Sequence, residues 1–150
     1  MVALIGALLA GCSAPPTEQE QTMTPEESKQ ALVELMSSTY DLMALSEEGW
    51  DPEYPLAADP CTLSNGTNGI NYIDVRTWTG DVEATELIDA VRDSWTSEGL
   101  STELDVRRRE SGGSDYWLVG RGESVENIRI VIIPGQVTFD GESTCVVGEL

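Results

Sequence analysis

The chain has no histidine, a single lysine (Lys29) and one phenylalanine. Without histidine, neither a Ser-His-Asp triad nor a Cys-His pair can be built. A Ser–Lys dyad would depend on Lys29 alone, which periodicity places on the polar side of a helix near the N-terminus. Positive charge is scarce: eight Lys and Arg stand against 27 Asp and Glu, for a net charge of −19. That balance repels nucleic-acid phosphates, which argues against a nucleic-acid partner, and it repels an anionic membrane face. No Gly-rich phosphate loop or dinucleotide fingerprint occurs. No cofactor, metal or catalytic residue is expected.

What is present points to a folded body. Hydrophobic residues make up 40% of the 150 positions, with four Trp and four Tyr, enough for one domain with a core. The acids run from Glu18 to Glu149, and dispersed in this way they keep a secreted domain soluble. The densest group is Glu47, Glu48, Asp51 and Glu53, with Asp59 nearby. Its spacing fits no EF-hand loop, so it reads as exposed surface and not as a Ca²⁺ site.

Residues 2–10 form an apolar run too short to cross a membrane as a helix, with the length of a signal-peptide core. It ends in Leu9-Ala10-Gly11-Cys12 and turns at once into Ser13-Ala14-Pro15-Pro16-Thr17-Glu18. The four residues ending at Cys12 resemble the lipobox of bacterial lipoproteins, which reads aliphatic, small, small, Cys. The resemblance implies cleavage between Gly11 and Cys12, a diacylglycerol with palmitate-like chains on the Cys12 thiol, and a place on the extracytoplasmic side of the cell membrane. No Lys or Arg precedes Cys12, so a start upstream of Met1 is expected. Each buried methylene adds about 0.8 kcal/mol, so two or more acyl chains hold a protein stably. Residues 13–23 lack apolar periodicity and read as a tether spanning on the order of 20 Å. The expected organisation is a signal peptide over 1–11, a lipidated cysteine and tether over 12–23, and one domain over 24–150.

Setting Cys12 aside leaves Cys61 and Cys145. Two remaining thiols in an exported chain predict a disulfide, and two Cys without His make a poor zinc site.

Thr24-Pro25-Glu26-Glu27 predicts a capped helix start, and Leu32, Leu35, Met36, Tyr40 and Met43 continue at helical spacing toward Glu48. Gly49 should stop this helix, with Trp50 folding back on Leu45. Residues 51–69, rich in Pro, Gly and Asn, predict a long irregular connection. Alternation over 70–79 predicts a strand with Ile73, Val75 and Thr77 on one face and Tyr72, Asp74, Arg76 and Trp78 on the other. Asp81 should cap a second helix carrying Ala84, Leu87, Ile88, Val91 and Trp95, ended by Gly99. Beyond it, strands are predicted over 102–109, 116–120, 125–133, 137–139 and 144–147, with turns at Gly112-Gly113, Gly122-Glu123, Pro134-Gly135 and Asp140-Gly141. The segment 70–109 fits a right-handed crossover. The fold class expected is α+β, a two-layer sandwich whose mostly antiparallel sheet of five to six strands carries two helices on one face.

Tyr72, Trp78 and Trp117 are the candidate binding residues, if the uncovered sheet face carries their rings. Arg107-Arg108-Arg109, the only basic run, is expected to pair with neighbours such as Glu103, Asp105, Glu110 and Asp115. The function these features suggest is a membrane-anchored, non-catalytic binding or accessory module, its partner an envelope protein or ligand. The alternatives are a small-molecule or lipid carrier with an apolar pocket between helices and sheet, and a carboxylate-dependent cell-wall glycan hydrolase.

Overall fold

A computed structural model describes residues 23–43 and 55–150. The expected signal peptide, Cys12, the expected tether up to residue 22, the expected helix stop at Gly49 and the acidic residues Glu47, Glu48, Asp51 and Glu53 lie outside the described residues. The first helix, α1 (Pro25–Met43), opens on the expected capping box: the Thr24 N–H donates to Glu27 Oε2 at 2.8 Å, and the Glu27 N–H donates to Thr24 Oγ1 at 3.3 Å. β1 (Ala57–Thr62) and β2 (Asn68–Thr79) follow, then α2 (Ala84–Ser97). The chain finishes with β3 (Ser101–Arg108), β4 (Ser114–Arg121), β5 (Val125–Ile133), β6 (Gln136–Ser143) and β7 (Val146–Val147).

These strands form one seven-stranded sheet in the order β1-β2-β6-β5-β4-β3, with β7 also pairing β2. Every neighbouring pair is antiparallel. β2 and β3 therefore run parallel with three strands between them, and α2 carries the chain across. Both helices pack on one face, giving the α+β sandwich. Among the described residues no helix is long and apolar enough to cross a membrane.

The core lies between the layers, where Leu32, Met36, Trp95, Leu118, Ile130 and Phe139 are each fully buried. Burying one such side chain contributes about 1.5–3 kcal/mol. Two glycines let the layers approach. A Cβ on Gly141 would stand 2.7 Å from Leu32 Cδ1, and one on Gly120 would stand 2.8 Å from the Trp95 ring. α2 ends in a Schellman motif: Gly99 takes φ +87°, the Leu100 N–H bonds the Trp95 carbonyl at 2.9 Å, and the Gly99 N–H bonds that of Thr96 at 3.1 Å. Leu100 is thereby turned inward onto the core.

Three local expectations need correction. The connection over 51–69 holds a strand, β1, despite Pro60; an edge strand tolerates proline because one side of its backbone has no ladder to complete. Asp140-Gly141 is not a turn but the middle of β6, its glycine set beneath α1. α2 begins at Ala84 with Glu83 at its N-cap position and no side-chain cap, so Asp81 lies two residues too early to serve. Val82, packed against the core, occupies the residue between them.

Candidate binding face

Register assigns each strand residue to a layer. On β6, Val137, Phe139 and Ser143 face the helices, so Thr138, Asp140 and Glu142 face away. The pairing carries this division across the sheet. One row of the helix-free face reads Thr77, Thr138, Val131, Trp117, Asp105, and the next reads Val75, Asp140, Arg129, Val119, Glu103. Val75 is 59% exposed and Arg129 48% exposed, and no described helix covers them. Trp117 stands half-buried near the β3 edge, with the Arg107 guanidinium 4.4 Å from its ring centroid. That distance is within cation–π range.

The charges on this face are arranged in pairs. Arg129 Nε donates to Asp140 Oδ2 at 3.0 Å, and Arg107 Nε to Asp105 Oδ2 at 2.8 Å. Arg109 pairs with Asp115, and Arg121 lies 3.8 Å from Glu103. Glu142 accepts from the side-chain amides of Asn71 and Asn127, which bracket it from β2 and β5. The arginine run thus meets Asp105 and Asp115, two of the neighbours its sequence context supplies. Each of these acids has a basic or amide partner within the chain, and the face adds hydroxyls, apolar side chains and one indole to the groups it offers for docking. Thr77 and Thr138 place their hydroxyls 3.3 Å apart.

The structure separates the three aromatic candidates. Trp117 lies on the helix-free face. Tyr72 and Trp78 lie on the other, because their register partners Ser143 and Val137 face the helices. Trp78 packs beneath α1 with its ring centroid 5.7 Å from that of Tyr40, and Tyr72 lies 5.9 Å from the Lys29 ammonium. Both rings close the margin of the core, and Tyr72, Trp78 and Trp117 form no single surface. On the same buried side Arg76 Nε donates to Asp74 Oδ2 at 2.8 Å. The neighbours that do surround Trp117, Val131 and Val119 with the Arg129–Asp140 pair nearby, become visible only once register is known. Alternation within the 125–133 segment was the available signal.

Cys61 on β1 and Cys145 between β6 and β7 have their sulfurs at bonding distance, with Cα atoms 6.1 Å apart. This joins the first strand to the last two at the end of the sheet remote from Trp117. Beside it, residues of β1, β2 and the C-terminal segment line a shallow hollow of about 390 Å³. The space between helices and sheet is filled by Trp95, Phe139 and Ile128, Ile130 and Ile132 of β5. A scan of protein families finds no match to the chain, and a search of curated proteins finds none either.

Proposed function

We propose that the chain is a lipid-anchored, extracytoplasmic accessory protein that binds an envelope protein or ligand through its helix-free sheet face. The observation that carries this reading is Trp117, half-buried in that face with Arg107 over its ring and Val131 beside it in register. Trp and Arg are enriched at binding hot spots because they bring large contact area and directed hydrogen bonds at modest entropy cost. Set on paired strands, they lose little further freedom on binding.

The anchor reading rests on Leu9-Ala10-Gly11-Cys12 and the polar residues behind it. Eleven tether residues extend no further than about 40 Å, so the body works close to the bilayer. The net charge of −19 supports a body that stands off from an anionic lipid surface. The absence of histidine supports a binding role over acid–base or nucleophilic catalysis.

Capture from detergent-solubilised envelopes tests the face, comparing the native chain with Trp117→Ala. The binding partner should be lost with Trp117→Ala and kept with Thr85→Ala, an exposed position on α2. Equal recovery by all three removes the sheet face from the account. Cys12→Ser should abolish lipid labelling, and retained labelling contradicts the anchor site.

A further inference from the structure

The two outer strands of the sheet differ. β1 has six residues, one of them Pro60, which lacks a backbone donor, and is tied through Cys61 to Cys145. β3 runs eight residues without proline, and its outer edge pairs with no strand among the described residues. Such an edge can template another strand, and the charges it carries decide which strand fits. The direction of its free hydrogen-bonding groups follows from one contact. The Arg109 N–H donates to the Gly113 carbonyl at 3.2 Å. Main-chain groups alternate in direction along an antiparallel pair. Arg107, Asp105 and Glu103 therefore turn theirs toward β4, while Val106 and Leu104 turn theirs outward. The same two residues are unusually exposed for apolar side chains in a strand, Leu104 at 37% and Val106 at 49%.

On the helix-free face the edge carries Glu103, Asp105, Arg107 and, one residue past the strand, Arg109: two acids and then two bases, all on one side. Such a sequence is complementary to itself read backwards. We propose that β3 is a self-pairing edge, joining two copies of this chain antiparallel about a two-fold axis at Val106. In this register Asp105 stands opposite Arg107 of the second copy, and Glu103 opposite its Arg109. Each contact occurs twice by symmetry. Moving the axis to Asp105 or to Arg107 would set two like charges face to face, so charge selects the register. On the helix side Val106 meets Val106, and Leu104 lies against the aliphatic stem of Arg108. The outward N–H and C=O of Val106 pair across the axis. The sheet then continues from one copy into the next, and both Trp117 rings lie on one side of it.

Segment 101–109 holds two acids and three bases, in a molecule whose net charge is −19. At physiological ionic strength, repulsion between the two bodies is screened beyond about 8 Å, whereas the paired side chains meet well inside that distance. The edge therefore gathers the charges that attract at the place where two copies touch.

Sedimentation of the full chain in mild detergent tests this, at concentrations up to the order of 1 mM. The native chain should form a dimer as concentration rises. Asp105→Arg turns both symmetry-related contacts repulsive and should raise the dissociation constant about tenfold. Adding Arg107→Asp restores opposite charges across the axis, leaves an arginine next to Trp117, and should return the constant to within about threefold of native. In a Cys12→Ser background, Val106→Cys should oxidise to a covalent dimer at least about tenfold faster than Thr85→Cys on α2, since pairs across such an axis lie within disulfide reach. A native chain that stays monomeric, a double variant as weak as the single one, or equal oxidation at 106 and 85 each overturns the proposal.

Discussion

The indole N–H of Trp95 donates to the hydroxyl of Thr39 at 2.8 Å, tying α2 to α1 inside the core. Both residues are fully buried, and the same hydroxyl donates to the Leu35 carbonyl at 2.7 Å. Removing this acceptor leaves a buried N–H without a partner, which costs more than the bond itself contributes. Thr39→Val should lower unfolding free energy by about 1–3 kcal/mol in denaturant titrations, while Thr39→Ser stays closer to native. Equal stability of Thr39→Val and native protein would show that the bond contributes nothing.

Gly120 sits where three side chains converge. A Cβ there would stand 2.8 Å from the Trp95 ring, 2.9 Å from Leu100 and 3.0 Å from Ile128. The ring is rigid and cannot yield as a flexible chain end would. Gly120→Ala should cost about 1–3 kcal/mol through overpacking. Gly122→Ala, whose Cβ meets Leu100 at an ordinary 3.4 Å, should change stability little. Thermal melts of the two variants check the difference.

The Cys61–Cys145 link closes a loop with a sequence separation of 84 residues. Chain entropy gives such a crosslink a stabilisation of up to about 4–5 kcal/mol. The Cys61→Ala, Cys145→Ala pair should therefore unfold at markedly lower denaturant concentration. A thiol assay on denatured, unreduced protein should find both cysteines blocked.

Glu27 accepts hydrogen bonds from the backbone N–H of Thr24 and then from its hydroxyl, and these hold its carboxyl below the usual carboxylate range. A carboxyl depressed in the folded state stabilises that state above its unfolded pKa and loses the effect as pH falls through its folded pKa. The first turn of α1 should accordingly lose amide protection, measured against the intrinsic exchange rate at each pH, as pH drops below the usual carboxylate range. In Glu27→Gln that acid-dependent loosening should be absent. Amide exchange followed by NMR across this range measures both.

The elements legible in the residues were those with strong local signals. The box at Thr24 and Glu27, the apolar stripe from Leu87 to Trp95 and the glycine at 99 mark both helices. Alternation marks most of the strands, and with them the two-layer arrangement. β1 carries Pro60 and no alternating pattern, so only its pairing with β2 reveals it. Gly141 next to Asp140 has the composition of a turn, yet its missing side chain serves the close approach of α1. The binding residues show the same limit. A period of two separates Tyr72 and Trp78 from Ile73 and Val75, but it does not say which set the helices cover. That is decided by α1 lying over β2 and β6, a long-range contact that takes in both rings.

Photo-crosslinking in intact cells tests the helix-free face most directly. A photoreactive residue at Val131, adjacent to Trp117 in register, should capture a partner on irradiation, giving an adduct distinct from a dimer of the chain. The same residue at Thr85 on α2 should give none. Adducts of equal yield from both positions, or adducts from Thr85 alone, would contradict binding through the face around Trp117.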